Sequence, residues 1–539
     1  MLTFSRFVGL GLIVALAIAG LVYGVVPLLI GLIVFTFLLV SRRGKSTTNT
    51  PEERRQRRAR LVVLAALALG IVLNIVAISK AAYMNQSIAT AMLGIAIYPA
   101  WHYYRHNEDN VPILPVFSFI YWVAFGLQVF VPLPHAALYE KVRYEEITYS
   151  LGLATIALAV FLAAFYLFSG RLFRGIPKIP DAWSVHKAKA IGWPLAMGGV
   201  LITIGITLRV FPSTDYLKPI LTFVVTLSLL GTGTLFLLFL QGQLGSGERW
   251  FFWMGLVPLH LALWWGESGG GPAALFVMVI ALIHFRRRLK VPLLPAATIV
   301  LAVVSLIAFR PELRGLSSYA VDFERERYDV VGRVNNFLTV NLDFYERFST
   351  KELQERTASV INRLDQLSTF AYVVQETPEV VPYWHGETYK NFVWKIVPRP
   401  LFSDKPSDNL ASSFPRRYNV ADPSVLTQTT IPMPLLAEFY ANYGVMGILV
   451  GMVLLGLVFR IIYQVFNSPG VNGWACVAAA VMGAPLITGM GANFSLVYGG
   501  LVLPTIAIFI IGAFVSKRAT SEAQRPRPGL SQRASPARQ

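Results

Sequence analysis

The sequence predicts an all-α polytopic membrane protein of about fourteen transmembrane helices, and three observations support this prediction. Of the 539 residues, 55% are hydrophobic and only 14% are charged, whereas an average soluble domain is about 25% charged. Apolar runs of roughly 18 to 20 residues, the length that a helix needs to cross a bilayer, recur along nearly the whole chain. The excess of basic residues is confined to short segments between and after these runs.

The apolar runs are continuous, which excludes the alternating strands of a membrane β-barrel and favours helices. The predicted spans, to within a few residues, are 6–23, 25–41, 61–79, 84–104, 113–131, 149–168, 192–210, 218–240, 250–266, 270–285, 293–309, 434–459, 473–490 and 496–515. The first run also contains Ala17-Ile18-Ala19, which resembles a signal-peptide cleavage site. The alternative interpretation of this run is therefore a cleaved signal peptide. Cleavage there would leave the predicted topology of the later spans unchanged.

Four basic segments set the predicted topology. Residues 42–60 carry a net charge of +6, residues 169–190 and 286–290 carry +4 each, and residues 516–539 carry +5. These segments account for the whole formal charge of +18. With fourteen spans and both termini inside, all four fall on the cytoplasmic side of a bacterial inner membrane, where Lys and Arg are retained. Topology therefore explains the charge, and a nucleic-acid partner is not needed.

The chain divides into four predicted parts. They are a membrane bundle of about eleven helices (1–309), an extracytoplasmic loop domain (310–433), a membrane bundle of about three helices (434–515) and a basic, disordered cytoplasmic tail (516–539). The loop domain, called the insert below, is nearly neutral and long enough to fold, with fifteen basic and sixteen acidic residues.

The insert has two predicted halves. The first half contains a helix over 351–371, whose packed face carries Leu353, Ile361, Leu364, Leu367, Phe370 and Ala371. The second half is rich in proline, which favours extended, stiff backbone. Aromatic residues are expected to anchor this half to the bundle, namely Trp384, Phe392, Trp394, Phe402 and Phe414.

A cluster of cations lies in the second half of the insert. Between residues 390 and 417 the net charge is +4, which indicates an anionic ligand. The cations are Lys390, Lys395, Arg399, Lys405, Arg416 and Arg417. Prolines bracket Arg399 and Lys405, and a stiff backbone lowers the entropy lost when such groups bind phosphate. The alternative is an ordinary solvated charge run.

Ionisable and polar residues in or near the spans form a second group of candidates. Glu438 and Asn442, four residues apart, share one face at the start of the twelfth span. The alternative role for Glu438 is to offset the helix dipole. His260 is a site candidate or a hydrogen-bonded packing histidine, and Glu267 is a head-group contact or part of a flexible turn. His385 is a candidate base, and no spacing of His or carboxylate residues predicts a metal site.

Three motifs resemble one family. They are Gly386-Glu387-Thr388-Tyr389, then Val397-Pro398-Arg399-Pro400-Leu401-Phe402-Ser403-Asp404-Lys405-Pro406, then Ala437-Glu438-Phe439-Tyr440-Ala441-Asn442-Tyr443-Gly444-Val445-Met446-Gly447. Together they are similar to the bacterial Wzy-type O-antigen polymerases, which join oligosaccharide repeat units. The match covers under a fifth of the chain. Gly269-Gly270-Gly271 stands where many members of that family have an arginine.

The resemblance implies a GT-C-like membrane glycosyltransferase that polymerises oligosaccharides carried on undecaprenyl diphosphate into a surface polysaccharide or exopolysaccharide, outside the cytoplasmic membrane. Such transfer needs cations where charge gathers on the leaving diphosphate and a base at the acceptor hydroxyl. The predicted catalytic residues are Glu438, Arg399 and Lys405, with His385 and Asp404 as alternative bases. The predicted substrate-binding residues are Arg363, Arg416, Arg417, His385, Tyr440 and Asn442.

The lipid diphosphate is itself an activated donor, so no cofactor is expected. The expected partners are undecaprenyl-diphosphate-linked oligosaccharides and the lipid bilayer, with a chain-length regulator and a flippase as candidate protein partners. Two other functions remain open at this stage. One is an O-antigen ligase, which uses a different acceptor. The other is a non-enzymatic flippase for lipid-linked oligosaccharides, although flippases commonly carry their cations in a central cavity, whereas this chain has them in the insert.

Overall fold

The computed structural model of the chain is described here for part of its length. The described residues are 51–77, 83–106, 108, 110–130, 141–168, 183–207, 217–261, 271–286, 364–390, 392, 394, 402, 410–420, 431–467 and 473–516. The predicted spans 6–23, 25–41 and 293–309, and the predicted tail beyond residue 516, lie outside them.

The prediction of an all-α fold is confirmed for these residues, in which the extended pairing is limited to one bridge between Trp183 and Ser516. The α-helices are α1 (Pro51–Ala77), α2 (Tyr83–Arg105), α3 (Ile113–Phe125), α4 (Tyr144–Leu167), α5 (Val185–Thr207), α6 (Leu217–Leu240), α7 (Ser246–Phe251), α8 (Gly271–Arg286), α9 (Leu367–Glu376), α10 (Leu410–Arg417), α11 (Leu435–Phe466), α12 (Trp474–Thr488), α13 (Phe494–Gly499) and α14 (Val502–Val515). A π-helical turn, Phe252–Leu256, follows α7.

Apolar helices of membrane-spanning length support the predicted membrane protein. In the described part of the chain, five stretches are long and apolar enough to cross a bilayer, namely Tyr144–Leu167, Val185–Gly205, Leu435–Phe466, Trp474–Gly491 and Phe494–Val515. Four shorter apolar helices accompany them, namely Ala59–Ile71, Ile113–Phe125, Leu227–Leu240 and Ala274–His284. The full count of fourteen spans stays a prediction.

One end of the bundle carries the described part of the insert, and we call it the insert face. It comprises the helix ends at Phe125, Tyr144, Thr488 and Phe494 together with residues 364–390. Three hydrogen bonds join the insert to these ends: Gln366 N–H to Ala124 O (2.9 Å), Arg143 N–H to Gln375 Oε1 (2.8 Å) and Trp384 N–H to Ala441 O (3.0 Å).

The opposite ends of the helices, at Arg105, Leu167, Phe466 and Val515, form what we call the tail face. Contacts between residues distant in sequence define it too: Val111 N–H to Asn467 Oδ1 (2.7 Å), Ser184 N–H to Val515 O (2.9 Å) and the Lys189–Glu248 ion pair (2.7 Å). Helices α3 and α11 connect the two faces in opposite directions, because α3 ends and α11 begins at the insert face.

The described residues of the four basic segments, namely 51–60, 183–190, Arg286 and Ser516, lie at or next to the tail face. Asn74 of α1 donates to Thr90 of α2 at 2.9 Å, and the two helices are antiparallel, so α1 begins beside the end of α2. Helix α5 begins and α14 ends at this face. Ile283 packs near Gly233 and Val477, which brings the end of α8 there as well. The described parts of the insert and of the basic segments therefore lie at opposite ends of the bundle.

Aromatic packing forms the centre of the core between α3, α4 and α11. The rings of Phe117, Phe161 and Phe459 have mutual centroid distances of 4.7 to 5.0 Å. Gly456 lies against the carbonyl of Phe161 and the methyl group of Ala164, where a Cβ would come within 3 Å of either. This close approach matches the small-residue face that the glycines of the twelfth span predict.

Helix α11 differs from the predicted span 434–459 in two ways. It continues to Phe466, because Arg460 lies over the ring of Phe165 (5.5 Å) and its charge does not end the helix. It also bends sharply at Tyr443 and Gly444, where Gly444 has φ +61°. The bend separates an N-terminal arm, residues 435–442, from a C-terminal arm, residues 445–466. Phe439 of the first arm packs against Gly447 and Gly451 of the second.

The described part of the predicted 351–371 helix is α9, which begins at Leu367 and ends at Glu376. Leu367, Phe370 and Ala371 are fully buried, as predicted. Leu364 is 43% exposed, so its predicted place on the packed face is wrong. The helix is interrupted before Leu367, and the Asp365 carboxylate accepts hydrogen bonds from Ser368 N–H and Oγ–H, a contact of the capping type. Residues 351–363 lie outside the described residues.

Candidate functional site

The candidate site lies on the insert face, where the N-terminal arm of α11 meets the insert. Asn442 is completely buried and makes three hydrogen bonds. Its Oδ1 accepts from Gly386 N–H (2.8 Å), and its Nδ2 donates to Thr388 Oγ1 (2.9 Å) and to the Glu438 carbonyl (2.8 Å). One amide therefore joins the arm to the turn at 386–388.

Glu438 shares the arm with Asn442, as the spacing of four predicts. It is also completely buried, and its Oε2 accepts a hydrogen bond from Phe494 N–H at 2.5 Å. A buried carboxylate needs such donors, because losing water costs it several kcal/mol (order of magnitude). Glu438 thus connects the arm of α11 to the first residue of α13.

A third contact closes the arrangement, since Ser495 Oγ donates to the Thr388 carbonyl at 3.1 Å. Three segments, residues 386–388, 438–442 and 494–495, are each bonded to the other two. We call this arrangement the junction. It fixes the insert on the mouth of the bundle through groups that are buried or half-buried.

Aromatic rings cover one side of the junction. The Phe494 ring lies 5.9 Å from Tyr389, 5.2 Å from Phe392 and 4.8 Å from Tyr498. Burial raises the pKa of Tyr389, and the charge of Glu438 raises it further. Tyr389 therefore stays neutral at any physiological pH and acts as a packing and hydrogen-bonding group.

Two tight turns face each other on the other side of the junction. His385 and Gly386 have φ values of +46° and +84°, and Gly444 has +61°. A Cβ on Gly444 would stand 2.9 Å from the Tyr383 hydroxyl, and a Cβ on Gly386 would collide with the Tyr443 hydroxyl. Each turn therefore requires a glycine, because the tyrosine hydroxyl of the other turn occupies the space that a Cβ would take.

Arg417, at the end of α10, lies beside these turns. Its guanidinium stacks on the Trp384 ring (4.2 Å to the centroid), donates to the Pro382 carbonyl (3.0 Å) and pairs with Glu387 (3.5 Å). Arg416 is exposed on the same helix end. A stacked guanidinium has lost part of its freedom already, which favours anion binding at this position.

Helices α9 and α10 pack against the site. Tyr372 Oη donates to the Tyr418 carbonyl (3.0 Å), and the Tyr418 hydroxyl bonds the Thr377 hydroxyl (2.7 Å). The Phe370 and Tyr440 rings meet edge to face at 6.3 Å. Tyr440, a predicted substrate-binding residue, is 7% exposed and faces this packing.

The structure brings six of the predicted site residues into one region: Glu438, Asn442, Tyr440, His385, Arg416 and Arg417. Arg399, Lys405 and Arg363, together with the alternative base Asp404, lie outside the described residues. The catalytic and binding roles stay predictions. The aromatic anchors Trp384 and Phe414 are buried, whereas Phe402 is 54% exposed, so its predicted role as a buried anchor is wrong; its ring contacts only Trp394 among the described aromatic rings, at 5.9 Å.

Several residues of the site were not singled out from the sequence. Thr388 and Tyr443 stand inside the motifs of the resemblance, which was the available signal. Tyr383, Phe494 and Ser495 carry no local signal, because their contacts join segments far apart in the chain.

His260 is buried, bonded through Nδ1 to the Leu256 carbonyl (3.0 Å) and stacked on Phe276, which favours the packing role. Among the described residues, no three His, Cys, Asp or Glu residues are arranged to hold a metal ion.

Comparison with known proteins adds one match. Residues 274–510 are similar to a family described as a domain of unknown function (DUF8712). This range includes the insert, all of α11 and the junction. No curated protein and no solved structure matches the chain.

Proposed function

We propose that the chain polymerises oligosaccharide repeat units carried on undecaprenyl diphosphate, by glycosyl transfer on the extracytoplasmic face of the inner membrane. The observation that carries this proposal is the bonding of Asn442 to Gly386 and Thr388. Two of the three motifs that resemble the Wzy-type polymerases, about fifty residues apart, meet there as one built site. If the likeness of the two motifs to that family were a coincidence, there would be no reason to expect contact between them.

The position of the cations supports a lipid-diphosphate donor. Arg416 and Arg417 lie at the insert face, next to the mouth of the bundle, where a lipid-linked head group would emerge from the bilayer. Arg399 and Lys405 follow the described turn at 386–388 by 11 and 17 residues in sequence. Guanidinium and ammonium groups in a partly desolvated mouth would stabilise the charge that gathers on the departing diphosphate. The base removes a proton from the acceptor hydroxyl as the new glycosidic bond forms.

The two described candidates for the base differ in access. Glu438 is the assignment made from the sequence, and its carboxylate is buried with one oxygen bonded to Phe494 N–H. It can serve as the base only if the junction opens toward the acceptor. His385 is exposed at the turn and can meet a hydroxyl directly. A base must come within hydrogen-bond reach of the proton that it removes, so this difference in access separates the two assignments.

The topology agrees with this proposal. The described part of the insert lies at one end of the bundle and the described residues of the basic segments lie at the other, and basic loops are retained in the cytoplasm. The insert and its cations are then extracytoplasmic, on the side where lipid-linked repeat units are polymerised.

The test is the chain length of the surface polysaccharide in strains that produce Arg399→Ala or Lys405→Ala at normal protein level. We expect both strains to make mostly single repeat units on the lipid carrier. Arg143→Ala is the matched control, because Arg143 is an exposed cation of the insert face that lies outside the cluster and pairs with Glu146. It should leave long chains intact.

Long chains of normal length in both cluster variants would overturn the proposal. Full-length polymer stranded on the lipid carrier in a deletion strain would indicate a ligase instead. Glu438→Gln, measured in the same assay, tests the assignment of Glu438 as the base, because loss of the base should abolish polymerisation without loss of protein. Polymerisation at the ordinary rate in this variant would leave His385 as the described candidate.

A further inference from the structure

Three aromatic side chains, of which two are exposed and Tyr383 is half-buried, meet at the facing turns. The His385 ring lies between Tyr383 and Tyr443, with centroid distances of 6.1 and 6.5 Å and interplanar angles of 67° and 66°. Tyr443 is 51% exposed, and His385 is exposed as well. We call these three residues the aromatic platform.

The backbone under the platform is held in an unfavourable conformation. A non-glycine residue at positive φ is strained, and His385 has φ +46°. The flanking bonds Trp384 N–H to Ala441 O and Gly386 N–H to Asn442 Oδ1 fix it there. These bonds keep the imidazole at the surface. Strain of this kind is concentrated at ligand-binding sites.

The chemistry of the platform suits a sugar ring. A pyranose presents a face of C–H bonds that packs on an aromatic face, and it carries hydroxyls around its edge. The platform offers aromatic faces with the imidazole nitrogens of His385 beside them, which can bond the hydroxyls of the sugar. The Tyr383 and Tyr443 hydroxyls lie against Gly444 and Gly386. The platform contains no Lys or Arg, and the guanidinium of Arg417 stacks on the neighbouring Trp384 ring. A diphosphate would bind the cation cluster and not this surface.

We propose that Tyr383, His385 and Tyr443 form a saccharide-binding platform that holds a pyranose ring of the lipid-linked glycan. This inference rests on the proposed function for the origin of the sugar. It adds a subsite for the glycan, next to the cations that would hold the diphosphate.

The test is saturation-transfer NMR on the full-length protein in detergent. The probe is a set of oligosaccharides released from the source bacterium's surface polysaccharide by partial acid hydrolysis. Tyr443→Leu removes a ring, and His385→Asn removes another while keeping a residue that tolerates positive φ. We expect each to weaken binding about tenfold or more. Tyr443→Phe keeps the ring and should bind within about twofold of the unmodified protein.

Unchanged binding in Tyr443→Leu and His385→Asn would overturn the platform, and so would a lack of binding to the unmodified protein. Loss of binding in Tyr443→Phe as well, with the same elution profile on size exclusion, would also contradict it, because that variant keeps the stacking surface. The experiments distinguish failure of the proposed function from failure of the platform. If the platform binds oligosaccharide while Arg399→Ala and Lys405→Ala strains keep normal chains, the saccharide site stands and the polymerase assignment falls.

Discussion

Asn442 Oδ1 accepts a hydrogen bond from Gly386 N–H at 2.8 Å, across 56 positions of sequence. The two residues belong to different segments, one in the N-terminal arm of α11 and one in the insert. Their bond fixes the position of the turn that carries His385 and Tyr383. This buried amide therefore helps to orient the candidate site, together with the bonds of Trp384 N–H to Ala441 O and of Ser495 Oγ to Thr388 O.

Removing that amide should loosen the insert. Asn442→Ala leaves Gly386 N–H and Thr388 Oγ1 without their partner, which should cost about 2 to 3 kcal/mol. We expect faster hydrogen exchange of residues 384–390 and a lower midpoint of thermal unfolding. Thr388→Val should give a smaller change in the same direction, and Thr388→Ser, which keeps the hydroxyl, should not. Exchange at 384–390 equal to that of the unmodified protein in Asn442→Ala would contradict the role of this bond.

The facing turns should reject a larger residue at Gly444. Gly444→Ala places a methyl group 2.9 Å from the Tyr383 hydroxyl at φ +61°, and the backbone conformation alone should cost about 1 to 2 kcal/mol. Adding Tyr383→Phe removes the hydroxyl, so the double variant should recover part of the lost stability. Gly152→Ala in α4 is the control, because nothing lies within 4 Å of its Cβ position, and it should be neutral or stabilising. Equal stability of Gly444→Ala and Gly152→Ala would argue against the tight contact.

Asp365 should make α9 sensitive to pH. Burial raises the pKa of Asp365 to about 6, although its hydrogen bonds to Ser368 act in the other direction. A raised pKa in the folded state means that this group's contribution to stability is complete below its ordinary value near 4 and is lost as the pH rises through about 6. Asp365→Asn keeps an acceptor for Ser368 and cannot ionise. We expect the variant to slow hydrogen exchange of residues 364–376 at pH 7.5, compared with the unmodified protein, and to have little effect at pH 4. The reverse order would show that the ionised carboxylate stabilises this segment.

At the tail face, Glu108 forms an anchor between α2 and α11 through its contacts with His102 and Tyr463. His102 Nδ1 lies 2.8 Å from Glu108 Oε1, and Tyr463 Oη donates to Glu108 Oε2 at 2.5 Å. Burial acts to raise the pKa of Glu108, but its hydrogen bonds with His102, Tyr463 and Asn110 outweigh burial and lower it. Its contribution to stability is therefore present above the ordinary value of 4.5 and is lost as the pH falls through the lowered value. Tyr463→Phe should lower stability at pH 7 by about 1 to 3 kcal/mol. The unmodified protein should lose stability on acidification as Glu108 is protonated, Tyr463→Phe should lose less, and Glu108→Gln should not show this loss. Thermal unfolding of both variants between pH 3 and 7 checks this. A pH profile unaffected by Glu108→Gln would rule the anchor out.

The local features of this fold could be predicted from the sequence, because they depend on composition and period. Helices α11 and α12 begin within a few residues of their predicted positions, and Glu438 and Asn442 share a face because four residues make about one turn. The bend at Gly444 could not be predicted in this way. A glycine in an apolar run is equally consistent with close helix packing, which is how Gly456 is used.

The junction shows why the site was only partly predictable. Asn442 stood out as a polar residue at the start of a span, but its partners Gly386 and Thr388 are fixed by the fold of the insert. Phe494 contributes its backbone N–H to Glu438, and no side-chain pattern reveals a backbone donor. The cation pair Arg399 and Lys405 was found from charge and proline spacing alone.

The central claim is that the insert faces outward while the basic segments face the cytoplasm, and accessibility of single cysteines tests it most directly. The chain has one cysteine, Cys476, which is buried, so a Cys476→Ala background is suitable. Glu379→Cys reports on an exposed position of the insert, and Ser246→Cys on an exposed position of the tail face. In cells whose outer membrane has been made permeable, a membrane-impermeant maleimide should label Glu379→Cys, and it should label Ser246→Cys only after the inner membrane is broken. Labelling of Ser246→Cys and protection of Glu379→Cys in cells with an intact inner membrane would contradict the account.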